Sequence, residues 1–321
     1  MPKKPISESL DLLAAWLRAH DDIAVCCHIS PDGDAAGSAL ALTRLLRSMG
    51  KRAFPLCRDA IPRMYAFLPD VGEFVTADSM PFAPKAELFC DVSDPSRADG
   101  CLLSCESALL DHHETNPAFT QVNAIDGNAS ATGVLVLELA ERMGLAIDKE
   151  TATDLYVAIT TDTGNFSYRS TDGRTLRAGA KCLDAGADPD TLTRLLFRLR
   201  TVPRTKLLGA AICEMHLVCG GKAAILPVPL AMREKLGAST ADCESIVNYG
   251  IETEGVAVAA LLREQSDGVK LSLRSLGEVD VSRIAVKYGG GGHRAAAGCT
   301  LCMSMEESMT VITREFEALF S

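Results

Sequence analysis

The sequence contains no long apolar segment and few aromatic residues. No run approaches the roughly 18 apolar residues that a membrane-spanning helix requires, and aromatic residues make up 5% of the chain. The first residues carry positive charge, but no apolar stretch follows them, so a secretory signal is not expected. We therefore expect a cytoplasmic protein that does not enter a membrane.

An excess of basic residues is also absent. The chain has 32 Lys and Arg against 42 Asp and Glu, which gives a net charge of -10. Proteins that bind long nucleic acid neutralise many phosphates with basic side chains. Long duplex DNA is therefore not expected as a partner, whereas a short phosphorylated ligand or a metal site rich in carboxylates remains open.

The cysteines do not form a recognisable metal or disulfide pattern. There are 12 of them, but a disulfide framework is typical of small secreted domains rather than of a chain of this length. The one close CxxC, Cys299 to Cys302, has no second pair at zinc-finger spacing. Five other cysteines lie among apolar residues, which predicts buried side chains: Cys26, Cys27, Cys90, Cys182 and Cys213.

Strand-like and helix-like segments alternate over the first two-thirds of the chain. Short apolar runs such as 22–28 and 87–91 alternate with helical patterns such as 36–49. This alternation predicts an α/β fold with a mostly parallel sheet and helices on both faces. Because Pro55 has no backbone N–H to donate, the strand candidate at 52–57 is expected at a sheet edge or in irregular structure.

Beyond residue 205 the strand candidates are expected to pair locally. Gly220-Gly221 and Ser266-Asp267-Gly268 each separate two strand candidates, which predicts two hairpins. We expect a smaller C-terminal mixed α+β domain and a cleft between the two domains. The predicted boundaries are 1–187 for the first domain, 188–205 for a helical connector and 206–321 for the second domain.

Four polar clusters each follow a strand candidate or end a helix. Each has a purely structural explanation when taken alone, because Asp caps helices and forms Asx turns. Ligands nevertheless bind at the carboxyl ends of strands in open α/β sheets. The clusters are His28-Ile-Ser-Pro-Asp32-Gly-Asp34, Asp91-Val-Ser-Asp94, Asp111-His112-His113 and Thr160-Thr-Asp162-Thr-Gly.

Together the four clusters predict a site for two divalent cations. So many carboxylates in one place repel one another strongly unless cations neutralise them. Imidazole combined with several carboxylates favours Mn²⁺, with Mg²⁺, Co²⁺, Fe²⁺ or Zn²⁺ as alternatives. The candidate ligands are His28, Asp32, Asp34, Asp91, His112 and Asp162.

A fifth cluster, Lys287-Tyr-Gly-Gly-Gly-Gly-His293-Arg294, lies in the smaller domain. Successive glycines let backbone N–H groups approach an anion closely, and His293 and Arg294 add side-chain donors. The alternative is a flexible linker. A linker is expected to hold Ser and other polar residues rather than a His-Arg pair before an Ala-rich run, so we favour phosphate or nucleotide binding.

These five motifs, in this order, resemble the DHH phosphoesterase superfamily, which is named for the triplet at 111–113. Gly289–His293 resembles the signature of the DHH-associated C-terminal domain, and the resemblance covers nearly the whole chain. Its length is most similar to the nanoRNase type of bifunctional oligoribonuclease and 3′-phosphoadenosine-5′-phosphate (pAp) phosphatase. RecJ-like exonucleases share the core but carry further domains, and family II pyrophosphatases end in a different motif.

The resemblance implies a role for each site residue. One metal would be held by His28, Asp32 and Asp91, and the second by Asp34, Asp91, His112 and Asp162. His113 would face the scissile phosphate, with Asp111 orienting the histidine pair. The implied substrate contacts are Gly290, Gly291, Gly292, His293, Arg274, Ser130 and Thr132.

The activity implied by the resemblance is metal-dependent hydrolysis of phosphoesters. The expected substrates are short single-stranded oligoribonucleotides, pAp, or both, and a homodimer is one expected assembly. Three alternatives stay open: a phosphodiesterase for linear dinucleotides such as pApA, a pyrophosphate or polyphosphate hydrolase, and a catalytically silent nucleotide sensor.

Overall fold

The computed structural model describes residues 5–101 and 105–320, which form two compact units. The division falls between Leu199 and Arg200, inside the segment 188–205. The exact domain boundaries given above stay a prediction. Within the described ranges, no helix combines the length and the apolar character needed to cross a membrane.

Helices and strands alternate in the first unit. The strands are β1 (Ile23–Cys26), β2 (Ala53–Leu56), β3 (Ala86–Cys90), β4 (Glu106–Asp111) and β5 (Val122–Ile125). The helices are α1 (Ile6–Ala19), α2 (Gly33–Ser48), α3 (Thr132–Met143), α4 (Lys149–Asp162), α5 (Gly173–Asp184) and α6 (Pro189–Thr193), which a π-helical turn follows at Arg194–Arg198.

The five strands form one parallel sheet in the order β2-β1-β3-β4-β5. Pro55 lies in the edge strand β2, as its missing N–H predicts. Helices α1 to α5 pack on one sheet face against residues such as Val25 and Leu88. The other face, around Phe89, is covered by a short 3₁₀ helix, Pro95–Ala98, and neighbouring loops rather than by the α-helices expected on both faces.

The second unit is a mixed sheet with helices on both faces. Its strands are β6 (His216–Val218), β7 (Ala223–Val228), β8 (Val258–Gln265), β9 (Gly268–Ser275), β10 (Gly291–His293) and β11 (Ala296–Leu301). Its helices are α7 (Val202–Cys213), α8 (Leu230–Leu236), α9 (Ile246–Ile251), α10 (Ser282–Lys287) and α11 (Met305–Leu319).

The strand order in this sheet is β10-β11-β9-β8-β7-β6, and the β7–β8 pair is parallel while the others are antiparallel. Two apolar cores occupy its two faces, one with α10 and α11 and the other with α7 and α9. Both predicted hairpins are present. The prediction of an α/β unit followed by a smaller mixed α+β unit is therefore confirmed.

Three local expectations were wrong. The first strand of the hairpin at Gly220-Gly221 was expected to begin at Cys213, but the chain forms helix α7 up to that residue and β6 begins only at His216. Cys213 is exposed rather than buried, whereas the other four cysteines predicted to be buried are buried. The glycine-rich segment forms the edge strand β10 rather than a loop, because its backbone pairs with β11.

Candidate active site

Three neighbouring strands carry polar side chains at the same edge of the first sheet. β1, β3 and β4 lie side by side and parallel, so their carboxyl ends meet. His28 lies two residues after β1, Asp91 directly follows β3, and His112 and His113 directly follow β4. The sheet topology thus brings three of the predicted clusters together.

Two helices add further carboxylates to this edge. Asp32 is the N-cap residue of α2, and its carboxylate accepts the N–H of Ala35 at 3.0 Å. Asp34 lies in the first turn of α2, and Asp162 is the last residue of α4. Asp32 therefore combines the capping role expected of an Asp-rich turn with a place in the polar cluster.

Glycines allow α2 and α4 to pack closely enough to bring these carboxylates together. A Cβ on Gly33 would lie 2.4 Å from the side chain of Thr161. A Cβ on Gly37, one turn further along α2, would lie 2.4 Å from the backbone oxygen of Asp154. Any side chain at these positions would therefore separate the two helices.

Histidine nitrogens and carboxylate oxygens form three compact groups, which we call the metal-type groups. Within each group, one ligand atom from each side chain lies within 4.8 Å of the others. Asp91 joins two of them: its Oδ2 is 3.6 Å from His28 Nε2, and its Oδ1 is 3.6 Å from His112 Nε2. His112 Nε2 is also 3.3 Å from Asp162 Oδ2. The groups are His28, Asp32 and Asp91; Asp34, His112 and Asp162; and Asp91, His112 and His113.

Asp34 is held by the beginning of another helix. Its carboxylate accepts the N–H groups of Thr132 and Gly133, the first residues of α3, at 2.6 and 2.9 Å. The positive end of the helix dipole stabilises a carboxylate at this position. Thr132, which was expected to line the pocket, also donates its hydroxyl to Asp91 at 2.9 Å and so fixes both carboxylates.

Three of the carboxylates are difficult to ionise in the absence of a cation. Burial, together with repulsion from neighbouring carboxylates, raises the pKa of Asp34 and of Asp162 to about 7 and that of Asp91 well above its usual range. A divalent cation would reverse this effect by favouring the charged form. The donor set of imidazole nitrogens and carboxylate oxygens therefore fits metal ions, and the identity of the metal is a separate question.

Asp111 and His113 form a hydrogen-bonded pair beside these groups. His113 Nδ1 lies 2.8 Å from Asp111 Oδ1, and the amide of Asn116 donates to the other carboxylate oxygen. Burial would raise the pKa of Asp111, but the hydrogen bonds from His113 and Asn116 outweigh it and lower that pKa. The same bond to Asp111 raises the pKa of His113.

Sequence reasoning missed two residues of this site. Arg97 Nη2 lies 2.8 Å from His28 Nδ1, which is also 2.8 Å from the backbone oxygen of Ile29. Asn116 holds Asp111, as described above. Both are ordinary polar residues, Arg97 in the short 3₁₀ helix Pro95–Ala98 and Asn116 in a loop. Only the position of Arg97 three residues after Asp94 could have drawn attention to it.

The hydroxyl of Ser130 has its hydrogen-bond partner outside the metal-type groups. Its buried hydroxyl is 2.8 Å from Thr175 Oγ1 on α5. This contact ties the loop before α3 to α5. The structure thus gives Ser130 a packing contact, and its assignment to substrate binding stays a prediction.

In the second unit, the sheet register places His293 and Arg274 on one face. His293 pairs with Ala296, and Ala296 pairs with Arg274 on β9. Directly paired residues of antiparallel strands point to the same side of a sheet. Two strand spacings separate β10 from β9, about 10 Å, and small residues occupy the strand between them.

The glycines in and directly before β10 serve different purposes. A Cβ on Gly290 would lie 2.2 Å from the backbone oxygen of Gly298, and one on Gly292 would lie 2.5 Å from Ala297 Cα. These two glycines are therefore required for close contact with β11. A Cβ on Gly291 would meet no atom within 4 Å, so Gly291 faces open space, as does Gly289 before the strand.

The fold and the first-unit site define a class of α/β proteins in which His and Asp side chains at the carboxyl ends of parallel strands can hold metal ions. Family models agree with this class: residues 22–159 match the DHH family, N-terminal domain, and residues 220–321 match the DHHA1 domain.

Relatives with similarity along most of the chain identify the family. A Thermus thermophilus protein named bifunctional oligoribonuclease and PAP phosphatase NrnA is 36% identical over 94% of this chain and 90% of its own length. A Bacillus subtilis protein of the same name is 24% identical over 90% of this chain and 92% of its own. The chain belongs to the DHH family of phosphoesterases.

A solved structure supports the fold in full. The crystal structure of an exopolyphosphatase-related protein from Bacteroides fragilis is similar with a TM-score of 0.87 and 27% identity. The similarity covers 97% of this chain and 96% of that chain. The predicted membership of the DHH superfamily, with its DHH-associated C-terminal domain, is thus confirmed.

Proposed function

We propose that this protein is a metal-dependent phosphoesterase that hydrolyses short oligoribonucleotides and pAp. The observation that carries the proposal is the convergence of His28, Asp91, His112 and their neighbouring carboxylates at one sheet edge. The relative named oligoribonuclease and PAP phosphatase, which matches nearly the whole chain, supports the substrate class. A cytoplasmic location and a homodimeric assembly stay predictions.

Two metal ions are part of the proposal, with Mn²⁺ preferred. His28, Asp32 and Asp91 would hold one, and Asp34, Asp91, His112 and Asp162 the other. When bound, such ions lower the pKa of coordinated water and neutralise charge on a phosphate. Asp91 suits the shared position, because its two oxygens face His28 and His112 respectively.

His113 is assigned to the reacting phosphate. The hydrogen bond that His113 donates from Nδ1 to Asp111 fixes its ring and favours the protonated form. A positively charged imidazole can donate a hydrogen bond to a phosphate oxygen as negative charge develops there. Asp111 acts through His113 and is therefore a positioning residue.

The second unit is assigned to substrate binding. His293 and Arg274 lie on one sheet face, and Gly291 leaves its backbone open on the edge strand. Donors of this kind suit a phosphate or a base edge. Gly290 and Gly292 would contribute by allowing β10 to approach β11.

Hydrolysis assays over a panel of substrates test the proposal. With Mn²⁺ present, we expect turnover of pAp and of RNA two to five nucleotides long, and slower turnover of pApA, pyrophosphate and polyphosphate. Asp91→Asn is the inactive comparison, and Asp94→Asn, which changes a carboxylate outside the metal-type groups, is the matched control. Exclusive hydrolysis of pyrophosphate or polyphosphate would contradict the proposal, and nucleotide binding without turnover would indicate a sensor.

A further inference from the structure

A cavity of about 280 Å³ lies in the second unit beside Arg274. Basic and hydroxyl side chains dominate its polar lining, and Glu244 is the acidic residue among them. The basic and hydroxyl residues of the lining are Arg263, Lys270, Arg274, Ser245 and Ser272.

The register of the sheet explains why these cations converge. Arg263 on β8 pairs directly with Lys270 on β9, so both side chains point to the same face. Ser272 and Arg274 follow on that face of β9, because side chains alternate along a strand. Lys270 and Arg274 are four residues apart, which corresponds to about 13 Å along the strand.

Within the described part of the chain, the three cations of the cavity form no salt bridge with a carboxylate. Among residues 5–101 and 105–320, no salt bridge involves Arg263, Lys270 or Arg274. The Arg263 Nη1 donates to the backbone oxygen of Thr240 at 3.3 Å, whereas its Nε is buried without a hydrogen-bond partner within the described part of the chain. A buried donor left unsatisfied destabilises the fold, and three like charges repel one another. An anion in the cavity would remove both penalties.

The spacing of the cations suits a ligand with more than one phosphate. One phosphate cannot contact both ends of a strip about 13 Å long, whereas a nucleotide chain carries phosphates at regular intervals. We propose that Arg263 and Lys270 form a second anion subsite, which binds a phosphate of the oligoribonucleotide substrate beyond the one contacted at Arg274. This inference rests on the proposed function and extends it to the choice of substrate length.

The subsite separates two substrates of the proposed enzyme. In pAp, one phosphate reacts and one remains, which Arg274 can contact. A 5′-phosphorylated tetranucleotide has further phosphates, and one of them would reach Arg263 and Lys270. The subsite should therefore favour the tetranucleotide and leave pAp unaffected.

Paired charge-removing variants test this inference. Arg263→Gln combined with Lys270→Gln should raise KM for a 5′-phosphorylated adenosine tetranucleotide about tenfold, with kcat and the KM for pAp unchanged. The slope of log(kcat/KM) against log salt should become shallower by about 0.7 for the tetranucleotide, since each phosphate of a single strand that is no longer neutralised contributes about 0.7. Lys235→Gln combined with Arg314→Gln, exposed positions on α8 and α11, removes the same charge and should change neither.

Two results would overturn the subsite: equal effects of the double variant on both substrates, or no effect on either. Binding of a fluorescent tetranucleotide to the full chain, measured in a chelator so that nothing is hydrolysed, provides an independent readout. Weaker binding by the double variant than by the control supports the subsite, and equal binding excludes it. If the wild-type protein hydrolyses neither substrate, the proposed function fails, and the binding comparison still decides the subsite.

Discussion

At the scale of single residues, Asp91 links two parts of the candidate site. It belongs to two of the three groups, accepts the hydroxyl of Thr132, and lies directly after β3 with its backbone in the left-handed region, at φ 59°. Backbone strain of this kind at a non-glycine residue persists where the surroundings fix the conformation. The side chain is thereby held between His28 and His112.

We expect Asp91→Asn to reduce hydrolysis of pAp by more than about 100-fold. Loss of a ligand shared by two metal ions should lower activity more than loss of a residue that only holds a ligand in place. The metal-free variant should unfold at the same temperature as the wild type or higher, since a buried carboxylate with a raised pKa is lost. Added Mn²⁺ should raise the unfolding temperature of the wild type more than that of the variant.

Turnover measurements and thermal unfolding with and without Mn²⁺ check this prediction, with Asp94→Asn as the matched control. Full activity of Asp91→Asn would show that the residue does not hold a metal. Equal stabilisation of both proteins by Mn²⁺ would lead to the same conclusion.

The residues of this site could be predicted where their chemistry is unusual and could not where it is ordinary. Asp111-His112-His113 attracts attention in a chain with six histidines. Arg97 and Asn116 act through one contact each, and arginines and asparagines at similar positions are common on protein surfaces. Their roles depend on distances to His28 and Asp111 that no spacing in the sequence encodes.

At the scale of helices and strands, the contact between α2 and α4 determines the position of the carboxylates. Gly33 and Gly37 face α4 one turn apart and allow the two backbones to approach. Asp34 and Asp162 lie at the ends of these helices that meet at the site. The separation of the carboxylates therefore depends on helix packing as well as on the strand ends.

Gly37→Ala tests this dependence. The added Cβ would meet the backbone oxygen of Asp154, so we expect a loss of about 1–3 kcal/mol in the free energy of unfolding and weaker binding of Mn²⁺. Gly209→Ala is the matched control, because Gly209 lies within α7 and its Cβ would meet nothing within 4 Å. The control should stabilise the protein by up to about 1 kcal/mol.

Urea unfolding and Mn²⁺ titration of both variants provide the measurement. Unchanged stability and metal affinity in Gly37→Ala would mean that α2 and α4 can separate without consequence for the site.

Some helices and strands can be predicted from the sequence more easily than others. Pro55 predicted the edge position of β2, and Gly144, at the end of α3, adopts the left-handed conformation expected after a helix. Strands β5 and β10 were missed because neither is an apolar run: β5 contains Asn123, and β10 consists of two glycines and His293. Glycine has a low strand propensity, so β10 exists through its pairing with β11, which is a tertiary effect.

At the scale of the whole molecule, the two units carry different kinds of chemistry. The first unit concentrates carboxylates and imidazoles, whereas the second places Arg263, Lys270, Arg274 and His293 on one sheet face. The division into two units could be predicted from the sequence. Helices between strands indicate long connections and parallel pairing, whereas the short turns further along the chain indicate antiparallel hairpins. The sequence pattern does not give the register of the strands. Which side chains of the second unit share a sheet face could therefore be seen only in the structure.

This division predicts that substrate recognition and bond cleavage can be damaged separately. His293 lies on the edge strand of the second unit and is exposed, so His293→Ala removes a donor without leaving a buried cavity. We expect KM for a short oligoribonucleotide to rise about tenfold or more, since a hydrogen bond to a charged phosphate contributes about 1.5–3 kcal/mol. Hydrolysis of a small aryl phosphate ester, which has no second phosphate or base for His293 to contact, should change less than twofold.

Kinetic measurements of His293→Ala with the oligoribonucleotide and with the aryl phosphate ester test this prediction, and His216→Ala is the control. His216 is an exposed histidine at the opposite edge of the same sheet, on β6. Because both substitutions remove an exposed imidazole from an edge strand, a general loss of stability would affect them alike. Equal losses on the oligoribonucleotide and the aryl ester would place His293 outside substrate recognition. A selective loss with the first substrate alone would assign recognition to the second unit and leave phosphoester cleavage to the groups around Asp91.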